Sequence, residues 1–455
     1  MKTYPAPDYE SMGVWDCYQK QLDVEYRQSV DEGLDIEKSK PLFDAVAAMP
    51  AGPGKEAEAD RLYGIVRSAR IKDGYPYVEP SELSAIRAER EPSDVPLVFP
   101  DRKTLADRIK GGWFGRICGC LLGKPVEGIG SGELRLILGR TGNFPMTRYI
   151  DREEITDAVA RGIKWNIRER AYPRDFGRMP PDDDVDYMMI AYLLLDRYGY
   201  GFTPRNVLET WIGEQSVKAY CTAERVAFLN YVKGYRPPDT ALYKNPYREW
   251  IGAQIRGDVF GYVCPCDPGK AAELAFRDAS VSHVKNGIYG EMWASATIAA
   301  AFGCGDIGSA IRRGLSEIPK RSRLHEAVTE TMENYSSGVP ADECFAGIHK
   351  RWDEADSHGW THVIPNAQIV TAALLYGGGD YARTVGLAVG TGFDTDCNGA
   401  TAGSVLGAAL GFDALPRSFT DRVADTLETD MIDFRRVSIT DMANKTLGLI
   451  DRLNG

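Results

Sequence analysis

Two glycine ladders constrain this chain more than any other feature. Gly111, Gly115, Gly119 and Gly123 recur every fourth residue, and so do Gly399, Gly403, Gly407 and Gly411. Residues four apart share one face of an α-helix, so each set draws a smooth ridge along one helix. An interior helical glycine costs about 1 kcal/mol relative to alanine. Four in register need a compensating gain, and close helix-to-helix approach supplies one. The pattern places both helices at the centre of the fold, with one ladder against the other as the arrangement that would use both. A phosphate-binding loop is the competing reading of Gly119 to Lys124. It fails, because three residues rather than four separate Gly119 from Gly123, and Pro125 rather than Ser or Thr follows the lysine.

The rest of the chain points the same way. From Leu105 on, helix-period segments alternate with Gly/Pro/Asp loops, and few runs show the strict alternation of a half-buried strand. An all-α architecture is expected. Val185, Met188, Met189, Tyr192 and Leu193, for instance, form one apolar helical stripe. Residues 15–90 read as helices of mixed charge, interrupted by the breaker cluster Pro50 to Gly54, and Pro92, Pro96 and Pro100 then prevent any helix from continuing. The expected division is a helical extension over residues 1–100, of unassigned role, and one large domain over 101–455.

Lys and Arg number 54 against 65 Asp and Glu, a formal balance of −11 that disfavours a nucleic-acid partner. No stretch is long and apolar enough to span a bilayer, and the segment from Met1 to Trp15 lacks a signal-like apolar run. The nine cysteines contain no CxxC pair, and Cys264-Pro265-Cys266 has no partner pair, so free thiols and a cytoplasmic location are expected. The sequence leaves the oligomeric state open.

Some of the acidic excess is patterned. Asp182-Asp183-Asp184 opens the apolar helix after Pro180-Pro181, where acidic side chains cap free N–H groups. Asp394-Thr395-Asp396 follows Gly390-Thr391-Gly392-Phe393 and opens the second ladder. Adjacent carboxylates repel, and protonation or a bound cation relieves the repulsion. Oxygen donors point to Mg²⁺, Mn²⁺ or Ca²⁺ rather than zinc, and no EF-hand loop is present.

These motifs resemble those of the ADP-ribosylglycohydrolase family. The resemblance rests on Asp107 to Arg116 continuing through Gly119 and Leu122 to Gly128, then on Asp182 to Val185, on Ser282-His283 with Gly290-Glu291-Met292, on Ile318 to Ser322, and on Asp394 to Cys397 with Gly399 to Gly403. It covers roughly residues 105–412, in order. It implies an orthogonal all-α helical bundle, with residues 101–455 as the catalytic domain and two Mg²⁺ or Mn²⁺ ions as cofactors. Asp183, Asp184, Asp394 and Asp396 would be metal ligands, with Asp182 counted among them, and Glu127 would lie over or on the metals. Three positions depart from the family pattern: Asp182 and Cys397 stand where Thr ligands are usual, and Val185 replaces a closing Thr. Cys120 also stands in place of a frequent Asp.

The implied function is hydrolysis of an ADP-ribosyl or related ribosyl N- or O-glycosidic bond, on a small-molecule or protein-linked substrate. Such a reaction passes through an oxocarbenium-like state and needs a group to deliver water; Glu127 or Asp184 is the expected catalytic carboxylate. No Gly-x-Ser-x-Gly elbow suggests a serine hydrolase. Glu127, His283, Asn286, Gly287, Tyr289 and Gly290 are expected around the substrate, with Arg256 as a phosphate ligand. Trp250 and Tyr262 are read as stacking or core residues, His358 and His362 as loop histidines, and His325 and His349 as surface residues. Two alternatives stand beside this reading: a hydrolase of another furanoside or nucleoside-like metabolite, and an inactive ADP-ribose-binding protein of the same fold.

Overall fold

A computed structural model describes residues 5–454. Among them are 24 α-helices and one two-stranded antiparallel sheet, Thr426–Glu428 with Arg436–Ser438. No helix among the described residues is long and apolar enough to cross a membrane. All nine cysteines are free.

The two ladders form the axis of the fold. The Arg102–Gly123 helix starts on an Asp101 cap that accepts from the backbone N–H groups of Lys103 and Thr104, and the Thr395–Leu410 helix runs antiparallel against it. A Cβ on Gly115 would lie 2.2 Å from the carbonyl oxygen of Gly403, and one on Gly119 would lie 2.0 Å from that of Gly399. At Gly123 the same atom would meet the backbone of Thr395 and Asp396 at 2.3 and 2.4 Å. The backbones touch where side chains would otherwise hold them apart. The cost of the glycines is offset by this contact and by the core that closes around it, including Trp113, Ile117, Val405 and Leu406. The register matters for the site: the end of the first helix, which leads to Glu127, meets the start of the second, which carries Asp394 and Asp396.

The N-terminal 100 residues pack on this body. Helices Leu22–Asp31, Lys40–Ala47 and Pro53–Ser68 share a small apolar cluster of Leu22, Phe43, Val46, Ala59 and Leu62. Their junction with the rest of the chain is charged and buried. Arg248 pairs with Glu25 at 2.7 Å and with Glu32; Lys285 pairs with Glu32 at 2.7 Å; Arg323 pairs with Glu79 at 2.8 Å and with Glu249 at 2.7 Å.

His358 and His362, read as loop histidines, are instead buried at this junction, 3% and 0% exposed, within 4.8 Å of Asp31 through their ligand-type atoms. They do not present lone pairs to a cation. The donor-only indole N–H of Trp250 donates to His358 Nδ1 at 3.1 Å, leaving the ring proton on Nε2, which faces Asp31 Oδ2 at 2.8 Å. The Ile364 N–H occupies His362 Nδ1 in the same way at 3.2 Å. The His358–Asp31 bond ties the N-terminal segment to the rest of the chain, while His362 packs beside it, stacked on Trp352. Trp250 and Tyr262 are core residues, the latter bonded to Ser404 Oγ at 2.6 Å. His325 and His349 are half-buried, and His349 Nε2 lies 2.9 Å from the Thr391 carbonyl oxygen.

Candidate active site

Three helix termini converge on one carboxylate cluster. Asp182 caps the Asp183–Tyr198 helix by accepting from the Asp184 N–H at 3.0 Å, while that helix buries Val185, Met188 and Met189. Asp394 and Asp396 flank the first residue of the second ladder helix, and Glu127 follows the first ladder helix. The ligand-type atoms of Glu127, Asp394 and Asp396 lie within 4.8 Å of one another, as do those of Asp184, Asp396 and Cys397, and those of Cys120, Asp182 and Asp184. Five of the six carboxylates singled out for the metal and catalytic roles therefore meet in one place, and Asp183, at the same helix terminus as Asp182, feels the charges of Asp182 and Asp396. Asp184 is fully buried, and Asp183 and Glu127 are partly exposed.

Two cations sit among them. Lys124 Nζ pairs with Asp182 Oδ2. Arg116, fully buried on the first ladder helix, donates to Asp184 Oδ1 at 2.9 Å and to its carbonyl oxygen at 2.9 Å, and lies 3.0 Å from Asp258. Seven carboxylates, Asp258 included, against two cationic side chains leave five formal negative charges in a largely buried space. The acidities record the crowding. Repulsion from Asp396, with burial, pushes Glu127 up to about 9, and burial with Asp182 and Asp396 nearby pushes Asp183 up to about 7. Burial drives Asp184 and Asp394 well above the usual carboxylate range. Two divalent ions would neutralise four of those charges. The donor set fits hard cations: carboxylate oxygens dominate, and burial beside these acids holds the Cys120 and Cys397 thiols protonated, well above their ordinary value.

Supporting groups fix the Asp394 loop. Asn366 Oδ1 accepts from the Asp394 N–H at 3.4 Å and from Asn398 Nδ2 at 2.8 Å, and Asn366 Nδ2 donates to the Trp360 and His362 carbonyls. Phe393, just before Asp394, has φ +56°, a conformation costing about 1–3 kcal/mol for a bulky residue. Glu354, which also accepts from the Ser131 N–H at 2.8 Å, braces this turn. Asn366 and Glu354 escape sequence reasoning because each is a single polar residue outside any cluster. Arg116 lies within the Asp107 to Arg116 motif, next to Gly115, and that placement on the ladder helix is the signal for its role.

The residues expected around the substrate have the following surroundings. Arg256 is 2% exposed, and its guanidinium is taken by Glu224, Asp278 and the Ser282 hydroxyl, so no N–H is free for a phosphate. His283 is buried in the same network, its Nδ1 2.8 Å from Ser282 Oγ. Asn286 bonds Glu79 and Glu249, Tyr289 donates to the Pro80 carbonyl, Gly287 packs on the Arg248 carbonyl and Gly290 against Val363. Asn286 and Tyr289 thus meet Glu79 and Pro80 of the N-terminal segment, whereas Arg256, His283, Gly287 and Gly290 pack within residues 101–454; Glu127 has its carboxylate grouped with Asp394 and Asp396.

An all-helical body with a carboxylate cluster at its central helix crossing defines a class of protein built to hold cations beside a cleft. The ADP-ribosylglycohydrolase family model matches residues 101–453, and the chain belongs to that family, one of glycohydrolases that are generally metal-dependent. A solved ADP-ribosylglycohydrolase-related protein complex is similar over 78% of this chain and 100% of its own, at 16% identity and a TM-score of 0.39. No curated protein matches significantly.

Proposed function

We propose that this chain is a metal-dependent glycoside hydrolase that cleaves the C1 bond of an ADP-ribosyl or related ribosyl N- or O-glycoside. The convergence of five carboxylates from three helix termini on one site carries the reading. Asp183, Asp184, Asp394 and Asp396 would hold two Mg²⁺ or Mn²⁺ ions, with Asp182, braced by Lys124, at their edge. Ions held there supply Lewis acidity toward ribose hydroxyls and water. Of the two candidate bases, Glu127 is favoured. Asp184 is fully buried with one oxygen committed to Arg116, whereas Glu127 is partly exposed at the edge of the cluster; with bound cations offsetting the Asp396 charge that raises its acidity, its carboxylate would orient and deprotonate the attacking water. Arg116 holds Asp184 in place, and Asn366 does the same for the Asp394 turn.

The test is release of ADP-ribose from arginine- and serine-linked peptides, alongside cleavage of small furanosides, with Mn²⁺ or Mg²⁺. Asp394→Asn and Asp184→Asn are expected to lower turnover by at least about 100-fold, beyond what a supporting residue alone would cost, and to lower the metal stoichiometry seen by calorimetry. Full turnover by either variant, or by protein stripped with chelator, would overturn the reading.

A further inference from the structure

The end of the ladder pair opposite the carboxylates opens into a cavity that the proposed hydrolysis does not use. The Thr395–Leu410 helix carries Asp396 in its first turn, and its other end, from Leu406 to Leu410, lines this cavity. That end lies ten to fourteen residues along from Asp396, about 15–20 Å at 1.5 Å per residue. The cavity encloses about 890 Å³ between this helix end, Arg108 near the start of the first ladder helix, and the helices Ile307–Leu315 and Arg323–Ser336. Residues 91–93 of the N-terminal segment close one side.

Its floor is apolar. Ala301, Leu315, Leu374, Leu375 and Leu406 line it, all buried, with Met332 beside them. Small residues keep the mouth open: no atom lies within 4 Å of a Cβ added at Gly305, Gly378 or Gly379. Protein interiors leave few voids larger than a water molecule, so a space of this size over leucines lacks contacts that an apolar molecule would restore.

The polar part of the wall is weighted toward cations. Arg108 Nη1 donates to the Phe302 carbonyl oxygen, and no carboxylate among the described residues pairs with this guanidinium. Arg312 reaches Asp306 only at 4.0 Å. That carboxylate is engaged in capping its helix, accepting from the Ser309 N–H at 2.8 Å and from the Ser309 hydroxyl at 2.7 Å. Glu91 pairs with Lys320 at 2.6 Å. Among the described lining acids Glu333 remains, one carboxylate against two arginines.

An apolar floor with a few fixed polar groups is the make-up of a small-molecule site. An anchored guanidinium fork matches a carboxylate through two parallel bonds. We propose that this cavity binds a carboxylate with an extended apolar body, of the fatty-acid type, with its chain over Leu374, Leu375 and Leu406 and its head on Arg108. The site is separate from the carboxylate cluster and does not rest on the hydrolase reading.

Calorimetry on the full-length protein tests it, with octanoate as the probe and octanol and acetate as controls. Octanoate is expected to bind once per chain, and acetate, which lacks the apolar body, not to saturate. Loss of one charge-assisted contact is worth roughly tenfold or more in affinity. Octanol should therefore bind at least that much more weakly, and Arg108→Met should bring octanoate level with octanol. Ala409→Trp places an indole in the space from a half-buried position and should abolish both. The unaltered chain offers a second readout, because Cys304 stands in the cavity wall and Cys221 does not. Octanoate at ten times its Kd leaves about a tenth of the sites open. It should slow iodoacetamide alkylation of Cys304 by about that factor and leave Cys221 unchanged, as read by peptide mass. Uptake of octanoate at many sites or without saturation, unchanged affinity in Arg108→Met, or equal Cys304 reactivity with and without octanoate overturns the proposal. So does a concentration-dependent dimer that excludes octanoate, which would assign the cavity to a second copy of the chain. Turnover of ribosyl substrates tests the hydrolase reading alone, so the two can fail separately.

Discussion

At the scale of single residues, the molecule spends its buried charge in pairs. Arg116, Arg248, Arg256 and Arg323 each meet at least two carboxylates out of contact with water. Charges so placed are tolerated because their partners arrive with them; removing one partner strands the other. Buried histidines follow the same logic with respect to protons. Burial, helped by Arg256 at His283 and by His358 at His362, holds both imidazoles well below their ordinary value. They are neutral when folded and take up protons on unfolding, so the unfolded chain binds more protons below about pH 6.5. Burial would raise Glu249, but Arg323 and Lys285 overcome it and hold the carboxyl down at about 2. Its contribution is intact above the ordinary carboxylate value near ~4.3 and is lost as pH falls toward its folded value. Both contributions weaken as pH falls, whereas Glu127 and Asp183, raised in the folded cluster, take up protons there before the unfolded chain does and act in the opposite direction. The Glu249 component is therefore read as a difference: by scanning fluorimetry Glu249→Gln is expected to lose the part of the wild-type drop that falls below about pH 4.5, and an identical acid limb in the two proteins would contradict the assignment.

At the scale of elements, the ladder contact sets the geometry of the cleft. Gly115→Ala should gain about 1 kcal/mol of helix propensity but force its methyl to within 2.2 Å of the Gly403 carbonyl oxygen. The backbones must then part, and overpacking of this kind costs about 1–3 kcal/mol or more. A net loss of stability in urea titration is expected, together with weaker metal binding, because the same register holds Glu127 against Asp396. Gly448→Ala is the control: it lies inside the Ile439–Asn454 helix with nothing within 4 Å of an added methyl. It should stabilise by up to about 1 kcal/mol. Equal effects of the two substitutions would deny the ladders their structural role. Both ladders were legible from spacing, since a four-residue repeat has one geometric meaning on a helix. Arg256 shows the opposite case. It is expected as a phosphate ligand, and nothing in the linear order reveals that Glu224, Asp278 and Ser282 close around it.

At the scale of the whole molecule, the N-terminal segment is part of the structure rather than an appendage. Glu25, Glu32 and Glu79 provide counterions for Arg248, Lys285 and Arg323. Deleting residues 1–100 would strand those cations in a newly exposed apolar face, so the shortened chain is expected to aggregate or melt without cooperativity. Glu32→Gln offers a gentler measure: it leaves one bond each to Arg248 and Lys285 without a charge, and a loss of up to about 3–5 kcal/mol in chemical denaturation is expected for a broken buried pair. An independently stable fragment of residues 101–455 would show that the junction is dispensable.

The chain's linear order determined the helical class, the two smooth ridges and the acidic clusters that open two helices, because each is a local pattern with a short repeat. The same order carried the family motifs. It did not determine which polar residues face the cleft. Asn286 and Tyr289 lie between the motif residues His283 and Gly290, yet they meet the N-terminal segment, because Glu79 and Pro80 arrive there through the fold. Arg170 carries no motif, yet it stands beside Glu127, because the Pro125 and Glu127 carbonyls fix it there. Whether a charged side chain serves as a structural tie or as a ligand-binding group depends on which partners reach it. Only the tertiary structure brings those partners together.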